Sequence, residues 1–265
     1  SQIKNIEHYQ NASEPPSIIY NDGIHLSGTI LWFDAVRKHD LCFISNPAIE
    51  KIGKSDKIFA SALTLELFAS RGQKLHGLPV PFHKPFSLGT LNIELFPAGL
   101  IPGGAQVLVQ YNGKSFVYAK NVLLKKTLIS ESAPILPSEI LILDCHYGHP
   151  RYRFPPRSEA FERLLHLVQE SFNKKKIPII FAEPIGITQE LIVFFAGLSL
   201  KCRLHQSSYK ITRSVFRHQG LPHNNFCLLQ KRIAEDEIII LPPILRGSSM
   251  IQSIKNRQSI VISGE

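Results

Sequence analysis

The chain has 265 residues, of which 44% are hydrophobic, and a formal net charge of +9 at pH 7. This length and hydrophobic content can bury a large core, so we expect a soluble, folded chain with an inserted or appended subdomain. No apolar run of about 18 residues and no apolar leader at residues 1–5 is present. The sequence therefore argues against a spanning helix and a secretory signal, and the cytoplasm is the expected location.

The first half of the sequence predicts short strands and one helix. Ser61 is expected to cap a helix that continues to about residue 70, because apolar residues follow at helical spacing before Gly72. Asn112-Gly113 predicts a hairpin turn between two strands. Apolar runs predict strands at 31–34, 41–45, 57–60, 91–96, 105–111 and 115–119.

The second half predicts alternating strands and helices. Residues 140–144 have the pattern of a buried strand that ends in a carboxylate, Asp144. After Pro155-Pro156, Ser158 can cap a helix at 159–173 that has a single apolar stripe. A buried strand at 178–182 and a helix at 189–200 follow. The whole pattern predicts an α/β protein in which an αββα sandwich leads into a parallel sheet.

Five segments combine a predicted strand or turn with a short polar or glycine-rich stretch. They are Leu31-Trp32-Phe33-Asp34, the loop at 46–51, the segment at 97–106, Tyr118-Ala119-Lys120-Asn121, and the strand that ends in Asp144. These segments resemble the motifs of the metallo-β-lactamase fold with a β-CASP region. The resemblance is strongest to the DNA-ligase-associated exonucleases, and RNA 3′-end-processing nucleases are more distant relatives. It implies a metallo-β-lactamase-like domain at 1–150 and a β-CASP-like region at 151–265.

The resemblance also implies that the metal ligands of the family have been lost. The family's second motif, His-x-His-x-Asp-His, holds a pair of zinc ions, and the matching positions here are Asn46, Ala48, Glu50 and Lys51. Leu100 stands in place of the histidine of the third motif, and Asn121 stands in place of a bridging aspartate. We therefore expect no bound zinc.

Two acidic positions of the family pattern are kept, namely Asp34 and Asp144. A buried carboxylate without any cation is costly. We therefore expect the Lys51 ammonium to replace the metal charge within hydrogen-bonding reach of Asp34, Glu50 or Asp144.

The rest of the resemblance concerns the frame around the site. The run at 147–157 resembles one peculiar to the exonuclease group, and 186–191 resembles its Gly-Lys-Ala-Gln-Glu-Leu. Pro242-Pro243, Gly247-Ser248 and Ser263-Gly264 resemble later landmarks. The family's last two histidine motifs would follow Ser263-Gly264, so we expect its C-terminal strand and helix to be missing here.

The positive net charge favours a polyanionic partner, because each phosphate that Lys or Arg neutralises releases condensed counterions. One basic run is interleaved with aromatic residues and could both grip a phosphate backbone and stack a base. The alternative is a structural connector whose arginines pair with carboxylates. The candidate nucleic-acid-binding residues are Arg151, Tyr152, Arg153, Phe154 and Arg157.

Three functions remain open at this point. The first is a non-catalytic relative that binds DNA or RNA in repair or processing. The second is a structural pseudo-enzyme subunit that pairs with an active homologue or complex. The third is a hydrolase with a rebuilt site. In one version, the carboxylates of Asp34, Glu50 and Asp144 attract Mg²⁺ or Mn²⁺. In another, His146 and His149 form a new metal or acid–base site beside Asp144.

Overall fold

The computed structural model describes residues 16–20, 23–230, 233, 234 and 236–262. The chain divides into two compact units, Ser1–Asp144 and Cys145–Glu265. Within the described ranges, no helix is long and apolar enough to cross a membrane.

The first unit contains a six-stranded sheet whose strand order follows the chain. The first two pairings are antiparallel and the last three are parallel. Helix α1, Ala62–Ser70, lies between the last two strands, and the Ser61 hydroxyl caps it by accepting from the backbone N–H of Thr64 at 3.1 Å, as predicted. The strands are β1 Ile18–Tyr20, β2 Ile24–Leu26, β3 Leu31–Phe33, β4 Leu41–Phe43, β5 Lys57–Ala60 and β6 Gly77–Pro79.

The second sheet of this unit has five strands in the order β11-β10-β9-β8-β7. They are β7 Phe86–Leu88, β8 Leu91–Pro97, β9 Ala105–Tyr111, β10 Lys114–Ala119 and β11 Ile140–Leu143. All neighbours are antiparallel except β10 and β11, which are parallel. Apolar side chains from both sheets form one buried core, which includes Phe33, Phe43, Phe59, Val107, Phe116 and Tyr118.

The second unit contains a five-stranded, all-parallel sheet in the order β14-β13-β15-β12-β16. Its central strands are buried on both faces, which explains the nearly continuous apolar runs in the sequence. The strands are β12 Ile177–Phe181, β13 Lys201–Leu204, β14 Phe226–Leu228, β15 Glu237–Leu241 and β16 Arg257–Val261. The helices are α2 Arg157–Asn173, α3 Ile187–Ala196, α4 Gln206–Gln219 and α5 Ser249–Gln252, with a short 3-10 helix at Pro243–Leu245.

The α/β class is confirmed, and several local predictions need correction. Helix α2 begins at Arg157 after Pro156, so Ser158 lies inside its first turn and is not the cap. Helix α3 begins at Ile187, directly after Gly186, which takes a left-handed φ of 91° as its N-cap, and it ends at Ala196, before the C-cap Gly197. The strand at 140–143 is an edge strand with exposed leucines, not a buried strand. The landmark Ser263-Gly264 lies outside the described residues.

Candidate functional site

Asp34 lies at the centre of a buried polar cluster in the first unit. It follows β3 with a left-handed φ of 47°, and its side chain is only 6% exposed. One carboxylate oxygen accepts from the backbone N–H of Ser45 at 2.7 Å. The other accepts from the Ser45 hydroxyl at 2.5 Å and from the Tyr118 hydroxyl at 2.8 Å. Because β3 and β4 are parallel, Asp34 and Ser45 reach the same sheet edge, and Tyr118 comes from β10 in the other sheet.

The side chains of Asn46 and Asn121 continue this cluster by binding each other. The Asn46 amide group donates to the Asn121 side-chain oxygen at 3.1 Å and to the Ser45 hydroxyl at 3.0 Å. The Asn46 oxygen accepts from the backbone N–H of Ala48 at 2.9 Å, which closes a local turn. Asn121 has a left-handed φ of 53°, a conformation that asparagine tolerates well. The two positions that the sequence resemblance matched to metal ligands are thus joined directly by a hydrogen bond.

The charge balance of the cluster depends on Lys120. Burial raises the pKa of the Asp34 carboxyl, while the hydrogen bonds from Ser45, the charge of Lys120 and the Tyr118 hydroxyl oppose that shift. The Lys120 ammonium lies 3.9 Å from the Asp34 carboxylate and is 30% exposed. Burial, and then the charge of Asp34, raise the pKa of Tyr118 far above its usual range, so its hydroxyl is a proton donor at neutral pH.

The predicted role of Lys51 is wrong. Lys51 is exposed, and no described carboxylate lies within ion-pairing distance of its ammonium. The turn closed by Asn46 and Ala48 directs the following loop to the surface, whereas Lys120 directly follows the strand that carries Tyr118. In the sequence, Lys120 stands out only as the cation beside Asn121 in the segment at 118–121.

The other candidate positions do not join the buried cluster. Ala48, Glu50 and Leu100 are exposed, and Leu100 has 37% of its surface accessible. Glu50 lies close enough to Arg71 for its charge to act on that guanidinium. Asp144 is exposed at the end of β11, where its backbone N–H donates to Ala119 at 3.1 Å, and its charge contributes to the raised pKa of Tyr118.

The residues around Leu100 have clear structural roles. The Gln106 amide donates to the carbonyls of Pro97 and Pro134, at 3.3 and 2.7 Å. Gly99 has a φ of 95°, and a β-carbon there would lie 2.1 Å from the carbonyl oxygen of Leu123. Close backbone approach therefore requires glycine at this position, whether or not a metal is bound.

The donor set does not fit a pair of zinc ions. Both Asp34 oxygens already accept hydrogen bonds, and the Asn121 side-chain oxygen accepts from the Asn46 amide. Zinc sites in proteins use thiolate, imidazole and carboxylate ligands, usually four per ion. Among the described residues, no group of three or more His, Cys, Asp and Glu side chains is placed to hold a metal ion.

The arginine-aromatic run forms a compact loop at the start of the second unit. The Tyr152 and Phe154 rings are nearly parallel with centroids 6.5 Å apart, and Tyr147 packs edge-on against both at 5.2 and 5.3 Å. The Arg151 guanidinium lies 4.7 Å from the centre of the Tyr152 ring and donates to its hydroxyl at 2.7 Å. Arg153 is also exposed, and Phe154 is 55% exposed.

Arg157 differs from the other arginines of this run. It pairs with Glu190, whose side chain is only 5% exposed, and its guanidinium lies 6.0 Å from the centre of the Phe161 ring. This pairing matches the structural-connector alternative at that one position. The backbone N–H of Arg151 donates to His149 Nδ1 at 3.2 Å, an ordinary loop contact for a histidine considered as a candidate metal ligand.

The amino-acid sequence of this chain is similar to those of three distantly related proteins. A probable DNA ligase from Opitutus terrae is 26% identical over 257 residues, which cover 94% of this chain. An uncharacterized protein from Synechocystis is 27% identical over 181 residues, or 60% of this chain. A probable RNase from Methanocaldococcus jannaschii is 22% identical over 171 residues, or 62% of this chain.

The matched regions cover 25%, 32% and 39% of these three relatives, respectively. The chain therefore spans well under half the length of each of them. No protein-family model matches the chain. Two of the three relatives have names that refer to nucleic-acid chemistry.

Proposed function

We propose that this protein is a metallo-β-lactamase and β-CASP relative that binds nucleic acid without cleaving it. The observation that carries the proposal is the 3.1 Å hydrogen bond between Asn46 and Asn121, beside the buried carboxylate of Asp34. The resemblance places metal ligands at both asparagine positions. In their place two uncharged amide side chains contact each other directly.

The loss of hydrolysis follows from what phosphodiester cleavage requires. Two-metal cleavage needs ions about 4 Å apart that activate water and stabilise the leaving oxygen. The carboxylate of Asp34 is committed to Ser45 and Tyr118, and Glu50 lies on the surface near Arg71. This arrangement offers neither a general base nor a set of anionic ligands facing one another.

The binding part of the proposal is supported by charge and by the exposed loop of the second unit. The net charge of +9 favours a polyanion, and the relatives named as a ligase and an RNase point to the same class of partner. Arg151 and Arg153 are exposed and can contact phosphates, and the exposed Phe154 ring can stack a base. Arg157 pairs with Glu190, so we assign it a structural role in supporting the loop.

Filter binding and cleavage assays on labelled single- and double-stranded DNA and RNA test this proposal. Arg151→Ala with Arg153→Ala should weaken binding similarly for all sequences and reduce the salt slope by about one unit per lost phosphate contact. The exposed pair Lys125→Ala with Lys126→Ala removes the same charge from the first unit and serves as the control.

Three results would contradict the proposal. One is cleavage in the presence of Zn²⁺, Mg²⁺ or Mn²⁺, and another is nearly two zinc ions per chain in the purified protein. The third is negligible affinity for every nucleic acid together with a co-purifying nuclease, which would favour the structural-subunit alternative.

A further inference from the structure

A second basic and aromatic surface lies in the parallel-sheet unit, away in sequence from the arginine-aromatic loop. It is an open groove of about 430 Å³ lined by Tyr209, Arg213, Arg217, His223 and Phe226. A volume of this size lies within the range of small-molecule sites in proteins. No segment that resembles a family motif contributes to it.

Helix α4 forms one wall of the groove and presents its basic face there. Its opposite face is buried through residues that include Ile211, Val215 and Phe216. The exposed face carries three cations, Lys210, Arg213 and Arg217, at spacings of three and four residues, which align on one side of a helix.

The helix dipole explains only part of this pattern. Cations stabilise a helix when they lie in its last turn, where Arg217 and His218 are found. Lys210 and Arg213 lie earlier in the helix, beyond the reach of that effect. Helix α4 contains no Asp or Glu, so no carboxylate of the helix itself lies beside Lys210 and Arg213.

Aromatic rings also line the groove, with Tyr209 coming from helix α4 itself and His223 and Phe226 from the chain that follows it. The buried Phe226 ring contacts Tyr209 and His223, each with a centroid distance of 5.8 Å, and Phe216 at 5.1 Å. His223 is exposed and Tyr209 is half-buried, so both present ring surface above the Phe226 floor. The Arg213 guanidinium lies 6.0 Å from the centre of the Tyr209 ring. A cation and an accessible ring are thus neighbours on one rim.

We propose that this groove binds one nucleotide unit of a single strand, with its phosphate on Arg213 and Arg217 and its base against Tyr209 or His223. Stacking on these rings requires a base whose face is free, which a paired duplex does not provide. This inference rests on the proposed function and adds a second, separate contact surface for the same class of ligand. It predicts a preference for single strands over duplexes.

Fluorescence anisotropy with a short labelled oligothymidine and its duplex, at several salt concentrations, tests the groove. Arg213→Gln with Arg217→Gln should weaken single-strand binding about tenfold and make the salt slope shallower by about 0.7, which corresponds to the loss of one phosphate contact. Tyr209→Ala should also weaken binding about tenfold, whereas Tyr209→Phe should retain it. Arg163→Gln with Lys176→Gln, two exposed cations of the same unit, removes equal charge and should change little.

The outcomes separate the groove from the proposed function. In one outcome, the wild type binds normally and the Arg213, Arg217 and Tyr209 variants bind equally well. That result would overturn the proposed binding in the groove and leave the proposed function standing. A wild-type protein that binds no nucleic acid would overturn both. If the Arg213 and Arg217 variant loses no more affinity than the Arg163 and Lys176 control, the effect comes from general charge. That result would also overturn the proposed binding in the groove. If the double variant melts early, Arg213→Gln alone provides the same comparison.

Discussion

Replacing Asn46 and Asn121 by alanine, singly and together, tests whether their hydrogen bond has taken the place of a metal in holding the site closed. Asn46 makes three side-chain hydrogen bonds, to Ser45, Asn121 and Ala48. At about 1 kcal/mol each, Asn46→Ala should lower the free energy of unfolding by about 3 kcal/mol. Asn121→Ala loses one of these bonds and also places alanine at a φ of 53°, so about 2 kcal/mol is expected.

The double variant measures the coupling free energy between the two side chains. If the amides act on each other directly, the combined loss should be smaller than the sum of the single losses by about 1 kcal/mol. Trp32 is the chain's one tryptophan and lies in the same unit as the site, stacked between His25 and His39. Urea unfolding followed by Trp32 fluorescence therefore reports on this unit. Additive losses, with a coupling below about 0.3 kcal/mol, would refute a direct contact.

Two further predictions concern the charges of the site. Lys120→Ala should lower the free energy of unfolding by about 1–2 kcal/mol, because it removes the cation beside the buried Asp34 carboxylate. The exposed Lys51→Ala should change it by less than about 0.5 kcal/mol, and the reverse order in urea titrations would restore Lys51 as the replacing cation. Burial raises the pKa of Asp34, so the folded state favours the protonated carboxyl. The resulting contribution to the free energy of unfolding is complete below the ordinary pKa of an aspartate. It is lost as the pH rises through the raised pKa. Relative to Asp34→Asn, the wild type should therefore become less stable across that window, and a constant difference in urea titrations from pH 4 to 7 would contradict the raised pKa.

The asparagine variant is a fair reference for that titration. The Ser45 and Tyr118 hydroxyls can reorient to accept from an amide, and the backbone N–H of Ser45 still finds an oxygen. Asparagine also tolerates the left-handed backbone at position 34. The substitution therefore removes the charge while keeping the hydrogen-bonding pattern.

Local patterns in the sequence were sufficient for the elements whose signal lies within a few residues. The Ser61 cap, the Asn112-Gly113 turn and the strand at 57–60 were predicted as they are found, because caps, turns and short apolar strands depend on adjacent residues. The strands from 201 to 261 were not predicted. They complete a parallel sheet whose neighbours are distant in sequence, so no local turn signals their pairing.

The sequence by itself also determined that metal-ligand types are missing from positions 46, 48, 51, 100 and 121, since side-chain chemistry does not depend on the fold. Only the tertiary structure decided what the residues at these positions contact. Asn46 and Asn121 are 75 residues apart and follow strands of different sheets, β4 and β10, and they meet because the two sheets pack on one core. The same packing made Lys120, and not Lys51, the cation of Asp34, because an ion pair depends on distance in space and not on position in a motif.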